Sequence, residues 1–408
     1  MQNKRMNIFK KSFATVAIMS LATVAFAQPS LQAPHPLESA FTDQNARTEI
    51  IIPQVNGKNV YKADLHIHTI YSDGDVTPDM RVLEAWYDGL DIIAITDHME
   101  YRRIEREMFD YMGKYIREDL RKEGKTVNTN IMRQGPDEQG ILVDFNVAYK
   151  SASRKARDYG LLVVRGVEVT RKHNGDYNAI FTTDNNALYD RDLAQTLRNA
   201  RAQGAFIVHN HPDYDPNTAN TLSSVANGLY EQGLIDAVEV ANGRKTWNYL
   251  FSHAVAGGYT PMANSDAHEF IYWKYGRPCD HEIPRYRNMN LIFAENLTEN
   301  DIREALKAGN SIAYSNNNLI GKEDLLKALF NASVEFKLQR TSSTQHHVTV
   351  VNRSSLPYYF KIGNVEHILN ANGSLHLTLA KDVNTFEVTV LNMWYGNDEH
   401  PAISVELK

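Results

Sequence analysis

Asp64-Leu65-His66-Ile67-His68-Thr69, followed by Ser72-Asp73-Gly74, is the stretch on which the reading of this chain turns. In an extended strand, residues two apart share a face, so His66 and His68 project side by side. The strand runs directly into a loop, which keeps that face open to a ligand. Paired neutral imidazoles suit zinc, iron or manganese. Taken alone, an HxH pair is also a common accident of composition.

The pair has company further along. Residues 91–96 form a short apolar run closed by Asp97-His98. Glu168 lies near the end of the run at 161–169, His209-Asn210-His211-Pro212 closes the run at 205–208, and Ser265-Asp266-Ala267-His268 closes the run at 260–263. Further apolar runs lie at 237–240 and 311–314, and helical patterns stand at 148–159, 192–203, 247–256 and 301–308. This alternation predicts parallel strands joined by crossover helices, an α/β architecture. In a parallel α/β barrel the C-terminal strand ends converge on one mouth, where catalytic groups gather. Structural histidines have no reason to choose strand ends repeatedly, so the set is read as one metal site. Glu239 and Asn242 follow another strand. They either line the pocket or cap its loop, and no catalytic role is assigned to them.

The blocks DLHIHTIYSDG at 64–74, ITDH at 95–98, RGVEVT at 165–170, VHNHP at 208–212 and NSDAH at 264–268 resemble, in order, the motifs of the PHP (polymerase and histidinol phosphatase) family of metal-dependent phosphoesterases. The resemblance covers about residues 60–326 and implies a distorted (β/α)7 barrel holding two or three divalent ions, manganese, iron or zinc. It implies His66, His68, Asp73, His98, Glu168, His211, Asp266 and His268 as metal ligands, with Glu168 bridging two ions. His211 is favoured over His209 because the family's ligand usually precedes proline. His209 stays open as an additional ligand. Many relatives carry a further histidine shortly after the bridging glutamate. Here Asn178 and Asp176 are the candidates to replace it, ahead of His173. Arg171 and Lys172 are the first candidates for a phosphate-binding cation and Arg102 the next, though each reads equally well as an ordinary salt-bridging residue.

The chemistry implied is phosphoester hydrolysis. Two ions about 3.5–4 Å apart share a water, lower its pKa and hold a phosphoryl oxygen. Asp266 is placed to ligate and to accept a proton, and Arg171 to offset charge on the equatorial oxygens. Related amidohydrolases also begin with HxH but often bridge their metals with a carboxylated lysine. Glutamate at the bridging position favours the phosphoesterases. A phosphodiesterase acting on small molecules is the leading expectation. A phosphomonoesterase or nucleotide 5′-phosphatase is the second, and a noncatalytic glycan- or surface-binding protein that kept the fold is the third.

The 408 residues and a formal charge of −6 weigh against strong nucleic-acid binding, whose nonspecific affinity comes from lysine and arginine on phosphates. Lys4, Arg5, Lys10 and Lys11 precede an apolar run at 13–26 that ends in Ala25-Phe26-Ala27. This reads as a signal peptide cleaved near Ala27, with a periplasmic or secreted mature chain. The run falls short of the ~20 residues of a spanning helix, so no membrane span is expected in the mature protein. Cys279 is the single cysteine, so no internal disulfide can form. Residues 28–59 read as a leader, 60–330 as the hydrolase domain and 101–140 as a charged insertion within it. Beyond 331, alternating apolar and polar residues and the Asn-Gly turn at 372–373 predict a small antiparallel β domain over 331–408.

Overall fold

The computed structural model describes residues 47–102, 127–128, 142–171, 174–212, 222–243, 245–246, 254, 257–276, 283 and 285–407. The expected signal peptide, most of the leader, most of the 101–140 insertion, the helical pattern at 247–256 apart from residue 254, and Lys172 lie outside the described residues.

Twelve strands build one curled sheet. Its members are β1 (Asn59–Asp64), β2 (Ile92–Ile95), β5 (Leu162–Arg171), β6 (Gly175–Ile180), β7 (Phe206–Asn210), β8 (Ala237–Asn242), β9 (Lys245–Thr246), β10 (Thr260–Asn264), β11 (Met289–Ala294), β12 (Ser311–Ser315), β13 (Asn318–Ile320) and β20 (Met393–Trp394). The order is β10-β8-β7-β6-β5-β2-β1-β11-β12-β13-β20, with β9 on β8. β3 (Val127–Asn128), inside the insertion, and β4 (Leu142–Val143), just past it, pair with each other. The helices are α1 (Pro78–Tyr87), α2 (Val147–Ala156), α3 (Leu193–Ala202), α4 (Ser224–Glu231), α5 (Ile271–Tyr275), α6 (Glu299–Lys307) and α7 (Glu323–Ser333).

Parallel pairing joins β1, β2 and β5, and again β7, β8 and β10. Between these groups the expected alternation fails. β5, β6 and β7 run antiparallel, and so do β1, β11, β12 and β13. For β5 and β6 the reason is loop length. Arg171 pairs directly with Gly175, and that connection is far shorter than the dozen or more residues a parallel crossover needs. The result is a curled mixed sheet rather than a uniform succession of βα units.

Strand β2 shows why the apolar runs are continuous. Ile92 and Ala94 pack inside the curl with Ala63, Val164, Val208, Met262 and Ile292. Ile93 and Ile95 pack on the opposite face against α1 and α2 residues such as Val82, Ala85 and Ala152. A strand covered on both faces needs apolar residues at every position. The curl also brings β10 beside β11. There Asn290 accepts from Ala263 N at 3.0 Å and donates to Ala263 O at 3.0 Å.

Past α7 the chain forms two antiparallel sheets. One is β14 (Val334–Thr341), β15 (Gln345–Asn352) and β18 (Ser374–Ala380); the other is β17 (Val365–Leu369), β16 (Tyr358–Ile362), β19 (Thr385–Val390) and β21 (Ala402–Glu406). Val348, Val350, Tyr358, Phe360, Val388 and Val390 share one apolar core with Leu329 and Phe330 of α7 and with Ile93, Leu291 and Phe293 of the large sheet. Among the described residues, no helix is long and apolar enough to cross a membrane.

Candidate metal centre

Past the end of β1 the chain stays extended between two other strand ends. His66 O accepts from Asp266 N at 3.0 Å, His68 N donates to Ala267 O at 3.1 Å, and Thr96 N donates to Ile67 O at 3.1 Å. Alongside, His98 and Glu168 form a parallel bridge. The remaining letters of the first motif hold this arrangement. Asp97 accepts from Thr69 N at 2.6 Å, Thr69 Oγ1 at 2.7 Å and Ser72 Oγ at 2.7 Å. A Cβ on Gly74 would come within 2.8 Å of the His68 carbonyl carbon, so only glycine lets the loop close that tightly. Asp64 pairs with buried Arg287 and accepts from Ser265 N at 3.1 Å. Arg81 reaches in from α1, where its Nε donates to His68 O at 2.8 Å and its Nη2 to Ala267 O at 2.9 Å and His268 O at 2.8 Å.

The side chains converge tightly. His66 Nε2 and His68 Nε2 are 3.1 Å apart. Glu168 Oε2 lies 3.3 Å from the first and 3.2 Å from the second. Asp266 Oδ1 lies 3.3 Å and 3.1 Å from the same two nitrogens. Both carboxylate oxygens are buried, and no hydrogen bond satisfies either. Donors held about 2.0–2.2 Å from a tetrahedral ion lie about 3.3–3.6 Å from one another, so the spacing fits a divalent ion of mixed nitrogen and oxygen coordination. Three further donor groups surround it: His68, Asp73, His98 and His268; His66, His211 and Asp266; and Glu168, Asp176 and His211. Glu168 thus belongs to two adjoining groups and also approaches His98 Nδ1 at 3.1 Å.

Charge is balanced within the cluster. Burial alone would raise Glu168, but the charges of His98 and His66 and a hydrogen bond from His211 hold it well below the usual carboxylate range. Burial also opposes ionisation of Asp266, and His66 and His68 again hold it low. His211 is the converse. Burial would lower it, yet its hydrogen bond to Glu168 and the charges of Asp266, Glu168 and Asp176 push it up to about 9. Such a set of acidic oxygens and proton-holding imidazoles is ready to exchange protons for metal.

Backbone conformation aims two of these groups. His211 has φ 24° and Asp266 φ 48°, values uncommon for residues with a side chain and costly unless the surroundings enforce them. Regular alternation along β7 puts His209 with Ile207 on the outer face, and the kink at His211 turns that residue alone back toward the cluster. The His209 ring stacks on Tyr177 at 4.7 Å and its Nδ1 is 2.9 Å from Tyr230 Oη. Asn210 turns inward instead, donating to Glu168 Oε1 at 2.7 Å.

Arg171 requires the clearest correction. It is three residues from Glu168 on one strand, so it lies on the opposite face. Its guanidinium pairs with Glu100, donates to Asp190 O at 2.9 Å and lies over Tyr189, a packing role behind the sheet rather than a contact at the reacting centre. Arg102 donates to His98 O at 2.9 Å and lies over Phe145. Asn178 faces Glu168 in the β5–β6 ladder and donates to Leu65 O at 3.4 Å. Asp176, rather than a histidine, stands beside His211, 3.8 Å from its Nδ1.

Glu239 is the residue whose part was not assigned from the sequence. It is fully buried, and its Oε1 lies 2.9 Å from His66 Nδ1. The available signal was a glutamate inside an apolar strand run, since a buried carboxylate requires partners. Thr170, whose Oγ1 lies 2.8 Å from His98 Nδ1, gave no such signal.

Fold and site together define an α/β protein with a buried histidine–carboxylate cluster of metal-ligand type. The PHP domain family model matches residues 64–241. A two-domain protein from Bacteroides vulgatus, described as containing a predicted PHP-like metal-dependent phosphoesterase, superimposes with a TM-score of 0.74 at 26% identity, covering 89% of this chain and 99% of its own. An amidohydrolase from Chromobacterium violaceum with bound sulfate gives a TM-score of 0.35 at 13% identity, covering 53% of this chain and 90% of its own. A lesion-specific endonuclease from Pyrococcus furiosus gives 0.36 at 16%, covering 70% of this chain and 64% of its own. The last two are too distant to bear on function. No curated protein matches.

Proposed function

We propose that this protein is an exported, metal-dependent phosphoesterase that prefers small phosphodiesters. The observation carrying the proposal is the buried Glu168 carboxylate shared between adjoining donor groups, a layout suited to two or three ions of manganese, iron or zinc. Such ions, when bound, would polarise a phosphoryl oxygen and activate a water. The chain's own groups divide the remaining work. Glu168, His66 and His68 are sealed at the floor, whereas the side chains of Asp266 and His268 are 18% and 34% exposed. His268, the most exposed of these groups, marks one open edge of the cluster and Asp176, 24% exposed, another. Asp266, a ligand with a second oxygen facing His211 at 3.9 Å, is the group placed to take a proton from the attacking water.

The preference for diesters rests on charge. Arg171, Arg81 and Arg287 are tied to carbonyls or carboxylates of the framework, Arg102 lies over Phe145, and Lys274 donates to Ser265 O at 2.8 Å. As far as the described residues go, the ions would thus meet most of the phosphate charge. A diester carries one negative charge, whereas a monoester approaches two at neutral pH, its second pKa being about 6. With metal-loaded protein, an aryl phosphodiester should show a higher kcat/KM than the matching monoester. Faster turnover of the monoester would promote the phosphatase or nucleotide 5′-phosphatase reading. No hydrolysis of either by protein holding its metals would favour the noncatalytic surface-binding reading. Export is supported by the basic head and the Ala25-Phe26-Ala27 sequence. Mass spectrometry of protein from the source cell should find a chain beginning at Gln28.

A further inference from the structure

We infer that Glu239 is a positioning residue that fixes the ring tautomer of His66 and, through its second oxygen, the backbone of His211, so that one buried carboxylate sets two of the donor groups at once. Backbone donors, whose direction cannot change, fix the orientation of each group in turn. Leu65 N–H donates to Asn264 Oδ1 at 3.0 Å. Asn290 Nδ2 donates to the same oxygen at 2.8 Å, and that amide is itself oriented by a bond to Ala263 O at 3.0 Å. Asn264 must therefore present its NH2 to Glu239, which accepts it on Oε1 at 2.8 Å. On the other side, His211 N–H donates to Glu239 Oε2 at 3.0 Å, joined by Asn242 Nδ2 at 2.9 Å.

Both Glu239 oxygens are thus acceptors facing backbone-determined donors. His66 Nδ1, 2.9 Å from Oε1, can only be the protonated nitrogen of its ring. In the neutral ring that ligates a metal, this leaves Nε2 as the lone-pair nitrogen, and Nε2 is the atom facing Glu168 Oε2 and Asp266 Oδ1 at 3.3 Å each. The same carboxylate ties down the N–H of a residue at φ 24°, where the chain would otherwise relax and carry the His211 ring away from Glu168.

An isosteric amide cannot replace this group. In Glu239→Gln, an NH2 placed toward His211 opposes a backbone N–H. Placed toward His66, it opposes the Asn264 NH2 and offers a hydrogen to Nδ1, which moves the ring proton to Nε2 and removes a ligand. The test is metal binding and ring protonation, whatever bond the site cleaves. Metal-free Glu239→Gln should still melt cooperatively, and titration with zinc or manganese should show affinity lower by about 10–100-fold, the usual cost of losing a partner that orients a ligand. In zinc-loaded wild-type protein, nitrogen-15 spectra should show His66 protonated at Nδ1. If the variant does not fold, that spectrum decides the matter alone. Wild-type-like affinity in a folded Glu239→Gln, or a His66 ring unprotonated at Nδ1 in the zinc-loaded wild type, would overturn the inference. A wild-type chain that takes up neither metal would overturn it together with the metal reading. A metal-loaded chain inactive on phosphoesters would leave it standing.

Discussion

The large sheet and the two sheets that follow α7 bury polar groups for different ends. In the later sheets the strands alternate inward apolar and outward polar residues, and buried polar groups such as Asn352, Ser354 and Asn392 are spent on loops. Asn352 Nδ2, for example, donates to Leu356 O at 2.7 Å. Past the strand ends of the large sheet, charged groups are buried facing one another, with Glu168 Oε2 and Asp266 Oδ1 left unsatisfied. Buried carboxylate oxygens without hydrogen bonds destabilise a fold. Their presence in one region and not the other separates the part that needs an ion from the part that needs only packing.

The comparison can be broken most severely at Glu168. Glu168→Ala removes the oxygen shared by two donor groups, so bound metal per chain should fall and kcat/KM should drop by more than the ~100-fold that an orienting partner costs. Elemental analysis with a steady-state assay would check it, and full metal content would refute the bridging role. Phe360→Ala is the complementary cut. Phe360 is buried against Phe330 and Phe336, and its loss should cost about 3–5 kcal/mol of stability. Denaturant unfolding should show that loss while metal per folded chain stays unchanged; a parallel loss of metal would mean the two regions are less separable than their polar groups suggest. The smallest effect concerns protons. His211 holds its proton up to about 9, and metal must displace it. Apparent metal affinity should therefore rise with pH and level off above about 9, as titrations in the cold at several pH values would show.

Much of this was legible in the sequence because the ligands lie at the ends of short apolar runs. His66, His68, His98, Glu168, His211, Asp266 and His268 all meet in space. What escaped reading depended on facing and on three-dimensional closure. Arg171 was close to Glu168 in number, but an odd offset on a strand places it behind the sheet. His209 failed for the opposite reason. An even offset from His211 should share a face, but the φ of 24° at His211 cancels that rule. Glu239 acquires its partners His66, Asn264 and His211 only when three strand ends come together, and spacing along the chain cannot show that. The antiparallel β5–β6 hairpin was hidden because β6 carries Asp176 and Asn178, polar residues that belong to the site and weaken the apolar signal of a strand.

One small pairing links the two regions in time as well as in space. β20 adds to the large sheet beside β13, with Leu319 N donating to Asn392 O at 2.9 Å and Gly321 N to Trp394 O at 3.1 Å. An unpaired strand edge is a template for wrong partners. A chain synthesised from its N-terminus holds every residue of the histidine–carboxylate cluster well before residues 393–394 emerge, yet its sheet still presents an open margin at β13. β20, carried in from between two strands of the later sheets, therefore acts as a closing clasp on the margin of the large sheet.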